Sequence, residues 1–353
     1  MIPEPAPSRM IYAHAPIRIL DNGGWTDTWF AGHGTIFNIA VSPYAEVQIR
    51  AYPRGALAGQ VVLCVENFGD EYVVDLQGPG WQLHPLLEAS IRRVGVPQDL
   101  DVHLTLFSEA PSGASTGTSA AVSVALIGAL YRLNAVWVSP HQVAAAAHAV
   151  ETEMLGRQSG IQDQICSAYG GINIIEMPAY PQSYVTQLNL PFSTLWELER
   201  RISLVYLGKS HDSSEIHLKV IEELEDAGPD CPQLEDLRQT AVKSARALTM
   251  GDFDGLGEAM IENTGAQERL HPLLVGPEAR RVIEIGREFG AAGWKVNGAG
   301  GAGGSITLLS SPDDRLRRGM LEAVAAADPL FQVIPTRLAQ AGLKVWEAER
   351  QGK

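Results

Sequence analysis

The chain has 353 residues, 45% hydrophobic and 19% charged, which is ordinary globular composition and enough for about two domains. A formal net charge of -14 disfavours a nucleic-acid partner, because no basic surface remains to neutralise a polyanion. Cys64, Cys166 and Cys231 are far apart and odd in number, which fits a reduced, cytoplasmic setting rather than a disulfide framework or a metal knuckle.

The first ten residues, MIPEPAPSRM, lack the apolar core of a signal peptide. The longest apolar runs, 120–131 and 143–150, are too short to span a bilayer, so a soluble protein with no membrane partner is expected. Within 15–27 (APIRILDNGGWTD), Arg18 stands between apolar residues in a strand-like run. Gly23-Gly24 then gives a turn that presents Thr26 and Asp27, either as sugar-hydroxyl acceptors or as an Asx-type turn that only caps the next segment. Residues 47–51, 61–65 and 72–76 are β-branched runs broken by Pro and Gly, as strands joined by turns would be. Residues 102–107 alternate polar and apolar and lead into the most informative stretch, PSGASTGTSAA from Pro111 to Ala121.

That stretch is a loop of small residues ending at a helix start over 119–133. Unpaired amides at a helix N-terminus and the absence of bulky side chains make a phosphate cradle. The residues assigned to phosphate are Pro111, Gly113, Ala114, Ser115, Thr116, Gly117, Thr118 and Ser119. A second helix is predicted over 140–154, after Ser139-Pro140. It carries Glu151, and Asp163 follows beyond a glycine-containing turn, just before Gly170-Gly171. Phosphoryl transfer needs a metal and a group that handles the acceptor's proton. A loop hydroxyl with one carboxylate suits Mg²⁺, and a carboxylate kept off the metal suits the proton.

The segment 178–191 reads as a domain seam, which divides the chain into 1–190 and 191–353. Beyond it come a strand over 202–207, amphipathic helix through most of 215–290, and the glycine-rich 295–304 before a strand over 305–309. Mixed strands and helices in both halves predict an α+β enzyme with a cleft between two domains. Two generic nucleotide motifs fail. Thr118 follows Gly117 where a P-loop needs lysine, and Gly298, Gly300 and Gly303 precede a strand where a dinucleotide fingerprint needs a helix. An oxidoreductase reading therefore has little support.

APIRILDNGGWTD, PSGASTGTSAA and KVNGAGGAGG, in that order, resemble the three motifs of the GHMP kinases, the superfamily of galactokinase, homoserine kinase and mevalonate kinase. The resemblance covers about residues 13–310. It implies an N-terminal ATP-binding domain with a left-handed βαβ crossover and a ferredoxin-like C-terminal domain. It also implies ATP as donor, Glu151 and Ser119 on Mg²⁺, and Asp163 on the anomeric hydroxyl as base or orienting charge, with Arg18 beside it. Gly298, Gly300 and Gly301 would support the phosphate loop.

Gly23-Gly24-Trp25-Thr26-Asp27 is similar to the heptose 7-phosphate kinase and fucose-kinase pattern rather than the galactokinase one. The substrate set is therefore Gly23, Gly24, Trp25, Thr26, Asp27, Gly171 and Lys209, with Lys209 placed to receive a substrate phosphate. Trp25 stands where the heptose kinases usually have glycine and would stack on a sugar face or shorten the pocket. The implied activity is a sugar 1-kinase for a D-glycero-D-manno-heptose 7-phosphate. The alternatives are an unphosphorylated monosaccharide as acceptor, or a sensor that binds sugar and nucleotide without transfer. The adenine pocket is open at this level, with Tyr72 and Trp81 as aromatic candidates, and a monomer and a homodimer are equally compatible.

Overall fold

The computed structural model describes residues 6–208, 213–224, 228–301 and 303–348. The first half is built on β1 (Arg9–Asn22) and the 20-residue β2 (Gly34–Pro53), paired antiparallel along most of their length. Next come β3 (Val61–Val65), β4 (Asp70–Val73), α1 (Pro85–Val94) and β5 (Leu100–Ser108). β5 pairs antiparallel with β2 and parallel with β3, so α1 lies in a crossover between parallel strands.

α2 (Thr118–Leu133) follows, apolar on almost every face. A helix of that composition has to be buried, and the contacts show how: a Cβ added at Gly128 would lie 2.5 Å from Leu343 Cδ2. α3 (Pro140–Ala149) opens with a capping box, in which Ser139 Oγ accepts from the Gln142 amide and the Gln142 side chain accepts from the Ser139 amide. The helix expected to run unbroken to 154 instead changes to a π turn over Val150–Met154. α4 (Gln162–Tyr169) then leads to β6 (Ile172–Ala179) and β7 (Gln182–Gln187). The Pro-rich segment predicted as a seam thus holds a hairpin turn and a strand, and 188–191 alone lead into α5 (Phe192–Arg201). Turn signals mark hairpins and linkers alike.

The second half comprises β8 (Ile202–Tyr206), α6 (Ser213–Leu224), α7 (Pro232–Thr249), α8 (Phe253–Leu270), α9 (Pro277–Glu288), β9 (Gly293–Val296), β10 (Ser305–Leu309), α10 (Asp314–Ala327) and β11 (Gln332–Ile334). The sheet order is β11-β8-β10-β9, antiparallel throughout. Counted within this half the order is 4-1-3-2 in a β-α-β-β-α-β run, the ferredoxin-like arrangement. β12 (Lys344–Glu347) returns to pair with β1. Ala241, Leu248, Leu256 and Met260 of α7 and α8 belong to the core of the large sheet, while Val282, Ile306, Leu308 and Val324 form a separate core around the small one. No helix among the described residues is long and apolar enough to cross a membrane.

α8 and β9 touch backbone to backbone. A Cβ on Gly257 would lie 2.1 Å from the Ala292 carbonyl oxygen, and one on Gly293 would lie 2.5 Å from Gly257 Cα. Gly257→Ala is therefore expected to lower the unfolding free energy by about 1–3 kcal/mol, as overpacking does. Urea unfolding checks this, and a loss below about 0.5 kcal/mol, within the range of an ordinary surface substitution, would contradict the close approach.

Candidate active site

The loop between β5 and α2 begins with a turn in which the Ala114 amide donates to the Pro111 carbonyl at 3.2 Å. Ser115 has φ 55 and Gly117 has φ 70, and Gly117 caps α2 in the left-handed region. Ala121 N–H closes the first helical bond on Gly117 O at 2.9 Å, leaving the amides before it without helical partners. The Arg18 amide donates to the Thr116 carbonyl at 2.9 Å, tying the loop to β1. Residues Ser112 to Ser119 line a cavity of about 680 Å³, and Pro111 stands behind them as the turn's acceptor. The same cavity is also lined by Phe68, Leu83, His84, Leu86 and Leu106. Tyr72 and Trp81 do not reach it: Tyr72 Oη donates to Glu88 Oε1 at 2.7 Å, and Trp81 lies under Arg92 at 4.4 Å.

Arg18, 4% exposed on β1, meets Asp163 in the first turn of α4. Nε donates to Oδ1 at 2.8 Å and Nη2 to Oδ2 at 3.1 Å, while Nη1 donates to the Ser115 carbonyl. Burial works against the guanidinium charge, but Asp163 and Asp21 outweigh it and hold the pKa of Arg18 above its ordinary value. The fit is tight on both sides. A Cβ at Gly117 would lie 3.2 Å from Asp163 Cγ, and one at Gly298 would lie 3.0 Å from Ser115 O and 3.2 Å from Arg18 Nη2.

Beneath this pair lies a second one that the motif reading missed. Lys295, fully buried on β9, donates to Asp21 Oδ1 and to Gln267 Oε1, each at 3.1 Å. Asp21 Oδ2 accepts from the Gly298 amide at 2.9 Å. Burial raises the Asp21 carboxyl, but Lys295 and Arg18 outweigh it and leave the pKa below the usual range. Asn263 Oδ1 accepts from the Gly23 amide at 2.8 Å and Asn297 Oδ1 from the Leu20 amide at 3.3 Å. With Ser244 Oγ, which accepts from Asn22 Nδ2 at 2.6 Å, Lys295, Asn263 and Asn297 make four side chains from the second half that fix the 20–24 turn. The available signal was a lysine inside a buried strand pattern, the same signal that singled out Arg18.

A second cavity, of about 460 Å³, adjoins the first and is lined by Trp25, Asp27, Thr28, Glu151, Arg157 and Leu218 among others. Asp27 Oδ2 accepts from the Gln162 amide at 3.1 Å, and burial, aided by the charge of Asp163, pushes its carboxyl up to about 6. Trp25 has φ 75, is 5% exposed, and packs with Phe30, Val220 and Leu224. Gly23, Gly24 and Thr26 form the turn rather than the cavity wall. Thr26 Oγ1 donates to Gly23 O at 2.7 Å, and a Cβ on Gly23 would meet Thr35 O at 2.0 Å.

Glu151 sits on the π turn, a distortion often found at functional sites. Burial raises its pKa, and Gln164 partly offsets this by donating to Oε1 at 2.9 Å. Ser119 borders both cavities. No cluster of three or more His, Cys, Asp or Glu suited to a metal occurs among the described residues. One hydroxyl and one carboxylate, the latter bonded by the side chains of Gln164 and Ser159, still fit Mg²⁺, which binds through one or two carboxylates, substrate phosphates and water.

The remaining expected residues divide. Gly298 borders both cavities, and Gly300 and Gly301 brace the loop behind it, their amides bonded to Asn297 O at 3.3 Å and Leu274 O at 3.1 Å. Gly171 is not brought to the site. It bonds to Ala40 and Ala339 and borders a different cavity, of about 260 Å³, beside Gln187. Its nearness to Asp163 in sequence is undone by α4, whose eight residues carry the chain about 12 Å away. Lys209 lies outside the described residues.

Two predictions follow from the buried charges. Lys295→Met strands Asp21 and is expected to cost about 3–5 kcal/mol in urea unfolding, with Asp21→Asn added to it recovering part of the loss; a single-variant cost under about 1 kcal/mol would contradict the pairing. Asp27 binds its proton more tightly folded than unfolded, so its contribution to stability is complete below about pH 4 and falls as pH rises to about 6. The stability of Asp27→Asn relative to the unsubstituted protein should therefore rise by about 2–3 kcal/mol between pH 4 and pH 7. A pH-independent difference would mean that the carboxyl titrates normally.

Comparisons with known proteins agree with this geometry. The model for the GHMP kinases N terminal domain matches residues 85–171. The mevalonate kinase of Pyrococcus horikoshii is 30% identical over 275 residues, covering 75% of this chain and 72% of the relative. The D-glycero-alpha-D-manno-heptose 7-phosphate kinase of Campylobacter jejuni is 26% identical over 213 residues, 60% of this chain and 62% of that one. Among solved structures, a D-glycero-D-manno-heptose 1-phosphate kinase from Bacteriodes thetaiotaomicron superposes with a TM-score of 0.75 at 19% identity, covering 96% of this chain and 99% of that one. With its two sheets, its glycine-bounded loop before α2 and these relatives, the chain belongs to the GHMP kinase family, the enzymes that transfer a phosphoryl group from ATP.

Proposed function

We propose that the chain phosphorylates the anomeric hydroxyl of a sugar, with D-glycero-D-manno-heptose 7-phosphate as the leading acceptor. The observation that carries this reading is that the two cavities share one wall, made by Arg18, Ser119 and Asp163. A nucleotide along the phosphate loop would put its terminal phosphate at that wall, and an acceptor in the smaller cavity would meet it from the other side. The acceptor oxygen bonds to the γ-phosphorus, the bond from that phosphorus to the β,γ-bridging oxygen breaks, and ADP leaves with the bond's electron pair. Asp163, fixed by both guanidinium bonds, orients the hydroxyl and takes its proton. Glu151 and Ser119 would hold Mg²⁺, which supplies charge neutralisation to the phosphates.

The sugar reading rests on Asp27, Thr28 and Asp163 lining the acceptor cavity, since carboxylate and hydroxyl oxygens accept bonds from vicinal hydroxyls. The heptose reading rests on Gly23-Gly24-x-Thr26-Asp27 and on the Campylobacter jejuni relative. One observation favours an unphosphorylated sugar instead: the described lining of the cavity has four carboxylates, Asp21, Asp27, Glu151 and Asp163, against two guanidiniums, Arg18 and Arg157.

ADP release against a panel of heptose 7-phosphate, free heptoses, hexoses and mevalonate, with ATP and Mg²⁺, separates these readings. Turnover with mevalonate and with no sugar would overturn the proposal. Asp163→Asn is expected to lower acceptor-dependent turnover by about 10²–10⁴-fold, the range for a lost general base, with ATP affinity unchanged within a factor of about three. Equal loss of ATP affinity would give Asp163 a structural role instead.

A further inference from the structure

Phosphoryl transfer places several negative oxygens at the wall between the two cavities, and the buried charges there already cancel. Arg18 and Lys295 are matched by Asp163 and Asp21. All three guanidinium nitrogens of Arg18 are engaged, two by Asp163 and one by the Ser115 carbonyl. Asp27 and Glu151 add negative charge nearby. The fixed cluster therefore offers an incoming phosphate no net attraction.

Arg157 borders both cavities, as do Arg18, Ser119 and Asp163. Its side chain is exposed and makes no hydrogen bond or ion pair to any described residue. The loop that carries it is nevertheless anchored on both sides. The Arg157 amide donates to the Glu151 carbonyl at 2.9 Å. Tyr180 Oη donates to the Ser159 carbonyl at 3.0 Å, and Gly160 packs so closely on Asp27 that an added Cβ would lie 2.0 Å from Oδ2. The backbone is placed, and the guanidinium, near enough to Glu151 for its charge to favour that carboxylate, has no hydrogen-bond partner among the described residues and stands beside the small-residue loop.

Building on the kinase reading above, we infer that Arg157 binds the γ-phosphate of ATP and stabilises its charge during transfer, a cation supplied by the chain itself on the acceptor side. A planar guanidinium can give two parallel N–H bonds to phosphate oxygens in a way that an ammonium cannot. The position accounts for the division of labour between the two arginines: Arg18 orients Asp163, and Arg157 meets the phosphoryl group.

The nucleotide-binding arm of the test needs no acceptor. Binding of ADP and of a β,γ-imido ATP analogue, each with Mg²⁺, is measured by calorimetry for the unsubstituted protein, Arg157→Ala and Arg157→Lys. Arg157→Ala is expected to weaken the analogue about tenfold or more, the value of a charge-assisted contact, while ADP affinity and the melting temperature stay unchanged. Arg157→Lys is expected to recover part of the loss. Equal weakening of both nucleotides, or of neither, overturns the assignment. So does an unchanged analogue affinity with a raised acceptor KM, which would place Arg157 on the acceptor. Failure of every sugar in the turnover panel, with the analogue effect intact, would count against the sugar-kinase reading and leave this inference standing.

Discussion

The arrangement depends on one ion pair, buried Arg18 with half-buried Asp163. It joins strand β1 to the first turn of α4, and the small-residue loop before α2 closes over it through Ser115. In the proposed transfer Asp163 takes a proton from the acceptor hydroxyl, which requires that its orientation be fixed before the substrate arrives. Two parallel guanidinium bonds at 2.8 and 3.1 Å supply that orientation, and the glycines at 117 and 298 let backbone approach where a side chain would collide. The loop conformation and the acid's position are consequently one constraint rather than two.

The second pair carries that constraint across the molecule. Lys295 lies in the small sheet and Asp21 at the end of β1, so their contact locks the ferredoxin-like half against the strand that bears Arg18. Asn263, Gln267 and Asn297 extend the same contact. Every member of the cluster has a charge or hydrogen-bond partner, which is the condition under which a buried polar network specifies one arrangement. The two halves are thus joined at this cluster, and the cavities proposed for nucleotide and acceptor adjoin beside it.

Much of this was legible in the sequence because its signals are compositional. A run of Gly, Ala, Ser and Thr before an apolar helix, an arginine inside an apolar strand, and a carboxylate after a glycine turn each stand out locally. The residues that escaped depend on distant pairing. Lys295 was read only as part of a glycine-rich string, and Asp21 only as part of a turn, since nothing local says that they meet across 274 positions. Thr26 was read as a presented hydroxyl, but its own turn consumes it. Gly171 was grouped with Asp163 by sequence distance, which a helix of two turns makes irrelevant. The apolar wall of the larger cavity was illegible for a similar reason: Phe68, His84 and Leu106 come from separate parts of the chain and form no motif.

The most direct test of the account is where the phosphate goes. Proton-coupled phosphorus NMR of the product formed from ATP and the acceptor sugar reads that position without reference to the enzyme. If Asp163 addresses the anomeric hydroxyl across the shared wall of the two cavities, the new phosphorus resonance is split by the anomeric proton. A new resonance coupled to any other proton of the sugar would contradict the account.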